Sequence, residues 1–247
     1  MKTVLITGGG RGIGAATALA CARRGHAVAV NYARDAQAAE GLAVAARALG
    51  VPALALQADV SDEAQLLAMF ARIDAELPPL VGLVNNAGVV DAAARLDAMD
   101  MARWQRMFAV NVFGSFLCAR EAVKRMSTRH GGAGGSIVNL SSVAARLGSP
   151  GMYIDYAASK AAIDTFTLGL ALEVAAEGIR VNAVRPGIID TEIHASSGVA
   201  DRAHAMAAQL PMQRAGSADE VAQAIVWLLC DEASYVTGAL LDVAGGR

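Results

Sequence analysis

Short aliphatic and β-branched runs punctuate the chain at roughly residues 3–7, 27–32, 53–57, 82–85, 136–140, 180–184 and 239–243. Runs of this length and composition read as buried strands. Most of the intervals are longer Ala/Leu-rich segments in which apolar positions recur with helical spacing. Asp35, Ser61 and Ser217 stand where helix N-caps belong. Strands alternating with helices predict a parallel sheet covered on both faces. Right-handed crossovers then make it doubly wound. The expected fold is α/β, a doubly wound parallel sheet of seven strands with helices on both faces. The glycine cluster at 131–135 falls between a helical and a strand segment and reads as a connection.

A chain of 247 residues with no Pro/Ser-rich linker fits one domain over residues 1–247. Its hydrophobic content of 55% supports a large core and exceeds what a monomer needs, which predicts buried subunit contacts. The segments 101–129 and 153–177 are apolar on more than one face, so packing on the sheet leaves surface to bury elsewhere. A net charge of −2 leaves no basic footprint for nucleic acid. No apolar stretch is long enough to span a bilayer, and the opening apolar run is too short for a secretory signal. Cys21, Cys118 and Cys230 are scattered and odd in number, which fits a reducing, cytoplasmic setting. No metal site is expected: Glu192 and His194 lack a third ligand at useful spacing.

Candidate chemistry begins at the first strand. The turn Thr7-Gly8-Gly9-Gly10-Arg11-Gly12-Ile13-Gly14 follows it directly and opens an Ala-rich helix. Strand, glycine turn and helix N-terminus together are what a dinucleotide pyrophosphate requires. A triphosphate-binding loop is excluded, because no Gly-Lys-Ser/Thr follows. Further along, Tyr156 and Lys160 are four residues apart and share a helix face. An ammonium beside a phenol stabilises the phenolate and is expected to lower the Tyr156 pKa. Ser142 closes the fifth strand and Ser141 precedes it, so the two hydroxyls fall on opposite faces if the strand persists. Ligands of such sheets bind beyond the carboxyl ends of the strands. Gly8–Gly14, Arg34, Asp59, Asn86–Gly88, Ser142 and Pro186–Thr191 follow strands one to six in turn, so all converge on one edge.

With Thr7-Gly-Gly-Gly-Arg-Gly12-Ile-Gly14, Asn85-Asn86-Ala87-Gly88, Asn111, Ser142, Tyr156, Lys160 and Arg185-Pro186-Gly187 in this order, the chain resembles the short-chain dehydrogenase/reductase family over its whole length. The resemblance implies a Rossmann-like domain that transfers a hydride between a nicotinamide dinucleotide and a carbonyl or alcohol carbon. It assigns Tyr156 as general acid and base, and selects Ser142 over Ser141 to hold the carbonyl oxygen. Lys160 would grip the nicotinamide ribose, and Asn111 would hold a water linking Lys160 to solvent. Asn111 is also explained by a local kink, since Asn is a poor helix-interior residue. Asp59 and Val60 match the adenine-contacting pair, although Asp59 equally fits a helix cap. Asn86, Ala87 and Gly88 fit either adenosine contact or strand tethering. Pro186 and Gly187, which turn the chain after strand six, are cofactor-binding by the same resemblance, and Ile188 and Thr191 would meet the nicotinamide carboxamide, with a substrate-covering segment at about 188–215. A homotetramer is implied as well.

Cofactor choice turns on the end of the second strand, where NAD sites carry an acid that binds the ribose hydroxyls. Tyr32 occupies that position; Asp35 lies beyond it, at a helix N-cap. Arg34 and Arg11 offer two cations to a 2′-phosphate instead, which predicts NADP(H) over NAD(H). The expected partner is a small carbonyl or alcohol substrate. One alternative is an NAD-dependent sugar or polyol dehydrogenase. Another is a 3-oxoacyl-carrier reductase, for which Arg129 fits a docking role but Glu177 replaces the second expected cation. The rival from a different class is a catalytically inactive dinucleotide-sensing protein, although such chains tend to lose the tyrosine or lysine kept here.

Overall fold

The computed structural model describes residues 1–191 and 207–247. Seven parallel strands form the main sheet: β1 (Thr3–Ile6), β2 (Ala27–Tyr32), β3 (Ala53–Gln57), β4 (Leu80–Asn85), β5 (Gly135–Leu140), β6 (Ile179–Pro186) and, last in the chain, β9 (Leu240–Val243). Their spatial order is β3-β2-β1-β4-β5-β6-β9. The order reverses direction at β1, so the crevice between β1 and β4 is the topological switch point where such sheets bind ligands. β7 (Ile189–Asp190) and β8 (Gly216–Ser217) make a separate two-stranded ribbon.

Helices cover both faces. The first layer holds α1 (Gly12–Arg23), α2 (Ala36–Ala48) and α8 (Ala218–Leu229), whose apolar positions join Val4, Val28 and Val84 in one core. The second holds α3 (Glu63–Glu76), α4 (Met101–Phe108), α5 (Gly114–Met126) and α7 (Ile154–Val174). There Leu5, Leu83 and Ile137 meet Phe70, Cys118 and Val174. Residues alternate between these two cores along β1, β2, β3, β5 and β6, as the two-residue period of a strand requires. A short α6 (Ala144–Leu147) follows β5.

Several boundaries differ from the sequence reading. Ser61 does not cap α3; Asp62 does, accepting from Ala64 N at 3.0 Å and Gln65 N at 3.1 Å. A carboxylate one residue nearer the helix reaches two orphan N–H groups. Asp59 is no helix cap either, because its Oδ1 accepts from Ser61 N (2.9 Å) and Ser61 Oγ (2.6 Å). Asp35 and Ser217 do cap, and Ser217 forms a reciprocal capping box with Glu220. The single helix expected over 101–129 is three pieces: α4, a π-helical turn at Ala109–Phe113 and α5. Asn111 lies at the centre of that turn.

Candidate active site

The glycine turn is built around Asn31 and Asn86. Asn31, buried in β2, accepts from Gly8 N at 3.2 Å through Oδ1, and its Nδ2 donates to Ala58 O at 2.9 Å. Asn86 Nδ2 donates to Thr7 O (2.8 Å) and Gly8 O (2.9 Å), while Thr7 Oγ1 accepts from Asn86 N and Ala87 N, both at 3.0 Å. Asn86 is therefore a tether between strand ends, whatever else it touches. Gly8 and Gly12 have φ of +58° and +52°, which favour glycine. Gly14 is needed for proximity: a Cβ there would lie 2.6 Å from Asn86 Nδ2 and 2.7 Å from Gly8 O.

Above this turn is a cleft of about 500 Å³. Gly8, Arg11, Gly12, Ile13, Tyr32, Arg34, Asp59, Val60, Asn86, Ala87, Gly88 and Thr191 all line it. Gly14 does not, being packed behind the turn. Arg11 is the N-cap residue of α1, so the orphan N–H groups of that helix open onto the cleft. Asp35 spends its Oδ1 on Ala38 N at 3.0 Å. Arg34 is exposed and makes no ion pair among the described residues. The cleft thus fits an anionic dinucleotide: glycine backbone, helix N–H groups and Arg11 at the turn, and Arg34 beyond the end of β2.

A second cavity, of about 170 Å³, adjoins the first and shares Ile13, Asn86, Gly88 and Thr191 with it. Ser142, Tyr156, Lys160, Pro186, Gly187 and Ile188 line this one. Its remaining wall is largely apolar, including Val90, Val143, Leu147 and Ile189. Burial pushes the Tyr156 phenol up, and a hydrogen bond with Ser142 opposes the rise. This corrects the expected lowering by Lys160: its Nζ lies 5.6 Å from the Tyr156 ring centroid and donates to Leu140 O at 2.6 Å. Burial brings the Lys160 pKa down to about 8, with Asp164 acting against it. Ser141 points away, its Oγ donating to Lys160 O at 3.1 Å.

Asn111 reaches neither cavity wall. Its Oδ1 accepts from Val89 N (2.8 Å), and its Nδ2 donates to Val89 O (3.0 Å) and Ser159 Oγ (3.1 Å). The π turn brings this amide against the strand-four loop, and Gly88 leaves room for it: a Cβ at Gly88 would lie 3.4 Å from Asn111 Oδ1 and 3.6 Å from Lys160 Nζ.

Asn31 and Ser159, and also a buried pair, Arg103 and Asp155, had no place in the sequence-based expectations, and Thr7 stood there only as part of the glycine motif. Asn31 in an otherwise apolar strand was the available signal for the first group. Residues 192–206, including most of the expected covering segment and Glu192 and His194, lie outside the described residues. Among the described residues no cluster could hold a metal ion. No helix among them is long and apolar enough to cross a membrane.

Residues 8–247 match the family described as Enoyl-(Acyl carrier protein) reductase. The chain is 57% identical to the oxidoreductase YgfF of Escherichia coli (strain K12), over the whole of both chains. It is 40% identical to the cis-4-hydroxycyclohexanecarboxylate dehydrogenase of Sinomonas cyclohexanicum, covering 99% of this chain and 96% of that one. Among solved structures, a short-chain type dehydrogenase/reductase from Mycobacterium marinum superposes with a TM-score of 0.92 at 34% identity, covering 99% of this chain and 94% of that one.

Proposed function

The chain belongs to the short-chain dehydrogenase/reductase family of oxidoreductases, and on that premise we propose that it interconverts a compact secondary alcohol and its ketone with NADP(H), Tyr156 serving as proton donor and acceptor. The observation that carries this reading is that two hydroxyl residues, Tyr156 and Ser142, line one largely apolar cavity that adjoins the glycine-lined cleft.

The bound dinucleotide supplies the hydride in reduction and accepts it in oxidation. The chain's residues handle the proton and the charge. Ser142 and Tyr156 line the same cavity, so an alkoxide held between them would meet two hydroxyl donors. Tyr156 gives up its proton to that oxygen in reduction and takes one in oxidation. In this structure the phenol is raised, which suits an acid and leaves the base form scarce. Lys160, buried and cationic below about pH 8, is the charge available to stabilise the phenolate. Asn111 acts through the chain, fixing Val89 and Ser159 on either side of Lys160. Gly8, Gly12, Ile13 and the α1 N-terminus would hold the pyrophosphate. Asp59 and Val60 would flank the adenine, and Arg34 with Arg11 the 2′-phosphate.

Val90, Val143, Leu147 and Ile189 favour a substrate with an apolar body over a sugar or polyol, while Ser149, Tyr153 and Arg247 on the same wall offer contacts to a polar end. The relative named for a hydroxycyclohexanecarboxylate supports a ring-sized alcohol. Arg129 is 3.8 Å from Glu177, so the candidate carrier-docking cation is paired within the chain. Surplus apolar surface on α5 and α7 supports a homotetramer. Assay of purified protein with NADPH and with NADH against a panel of cyclic and linear ketones tests the reading. Turnover of a cyclic ketone with NADPH is expected; a preference for NADH, or unchanged NADPH use by Arg34→Ala, sinks the cofactor assignment. Dinucleotide binding without turnover of any ketone or alcohol would favour the sensing protein.

A further inference from the structure

Arg103 and Asp155 form an ion pair with relative exposures of only 9% and 5%. Arg103 Nε donates to Asp155 Oδ2 at 2.6 Å and Nη2 to Oδ1 at 3.2 Å. Burying such a pair is a poor way to gain stability, because desolvation consumes much of the attraction and well-packed apolar residues often do as well. Its place in the fold supplies another reason. Asp155 immediately precedes Tyr156 in the first turn of α7, and its Oδ1 also accepts from Tyr156 N at 2.9 Å. The third arm of the guanidinium, Nη1, donates to Ala92 O at 2.7 Å. Ala92 belongs to the irregular segment 86–95, which carries Val90 into the cavity wall shared with Tyr156. Asn111 anchors the inner end of that segment at Val89, and Ala94 N donates to Met152 O at 3.0 Å. Arg103 is therefore the group that joins the middle of the substrate-facing segment directly to the turn bearing the tyrosine.

We propose that Arg103 and Asp155 are a positioning pair, holding Tyr156 and the Val90 wall in one register so that a substrate against that wall presents its oxygen to the phenol. The proposal rests on the proton-transfer role given to Tyr156 above. Neither residue touches the reacting atoms. The planar, three-armed geometry is essential, since a lysine at 103 keeps the charge but carries its donors on one nitrogen, not on the three separate nitrogens that reach both carboxylate oxygens and Ala92 O.

Arg103→Lys and Asp155→Asn test it. Turnover is read with NADPH and either cyclohexanone or ethyl acetoacetate, dinucleotide affinity by NADPH fluorescence, and local order by hydrogen exchange of peptides spanning 88–95 and 154–160. Both variants are expected to lose about tenfold to a hundredfold in kcat, the scale of a small misplacement of a reacting group. KM for the ketone and Kd for NADPH should stay within about threefold, the pattern of an interaction that matters mainly in the transition state. Exchange should quicken in both peptides together and little elsewhere. Wild-type kcat in Arg103→Lys would overturn the proposal, as would faster exchange spread over the whole molecule with kcat falling only as folded protein is lost. If Arg103→Lys does not fold, Asp155→Asn carries the same outcomes. If the wild type turns over neither ketone, the reading of Tyr156 fails for these substrates, and exchange then decides the coupling: unchanged rates in the two peptides refute it.

Discussion

At Tyr156 burial raises the phenol in a cavity that Ser142 also lines. Tyr156→Phe keeps the ring and removes the proton, so turnover should fall by about a hundredfold or more, the scale of a general acid. Dinucleotide affinity, measured by fluorescence titration, should change little. Near-normal turnover would move the chemistry to another group. Lys160 supports a second prediction, on stability. Its folded pKa of about 8 lies below the ordinary 10.5, so between those values the unfolded chain holds a proton that the folded chain has released. Stability then rises with pH, and the burial penalty is fully present below pH 8. The buried thiols of Cys21 and Cys118, raised to about 12, act in the opposite sense above their ordinary 9.0, as Tyr156 does above 10.0. The window that isolates Lys160 is therefore about pH 8 to 9. Across it, calorimetry without cofactor should show the wild type gaining stability relative to Lys160→Met; parallel curves would mean that the lysine is not desolvated.

At the scale of elements, α1 and α8 show how local signals act. Ser217 accepts from Glu220 N at 3.2 Å while Glu220 Oε2 accepts from Ser217 N at 2.8 Å. Ser217→Ala should cost about 1 kcal/mol, read as a lower thermal midpoint with kcat unaffected. At the start of α1, Gly14→Ala would drive a methyl group into Asn86 Nδ2 and Gly8 O. Both stability and dinucleotide affinity should drop, because Asn86 ties the turn to β4; an intact NADPH Kd would show that the turn can relax. Caps such as Ser217 were legible because capping needs only residues close in sequence. At Asn111 the sequence offered a local kink as one reading, and a π turn lies there at Ala109–Phe113; its form was not legible, because the backbone that Asn111 bonds is the distant Val89.

For the whole molecule, apolar side chains remain exposed on the π turn, α5 and α7: Phe113, Phe116, Leu168 and Leu172, the last 85% accessible. Phe116 stacks on Phe166, with ring centroids 3.9 Å apart, so the two helices present a joined surface. A contiguous patch of this kind marks an interface, and symmetry makes a second copy the natural occupant. Sedimentation at micromolar concentration should give a tetramer, and Leu172→Glu a smaller species with the monomer fold retained by circular dichroism. A wild-type species of 25.3 kDa would refute the assembly.

Strand order, the doubly wound class, the glycine turn and the place of Ser142 at one sheet edge were determined by the sequence, through local periodicity and the rule that parallel strands end on one side. That Tyr156 and Lys160 join Ser142 there was implied by the family resemblance. Tertiary structure alone decided that Asn31 and Asn86 tie the turn to neighbouring strands, and that Asn111 and Gly14 stand behind the cavity walls. It also decided that Tyr156 is raised, and that Arg103 is clamped to Asp155 from 52 residues away. These depend on which backbone groups and charges meet across elements far apart in the chain. Burial fixes their energetics, and burial is a property of the packed molecule that no window of sequence contains.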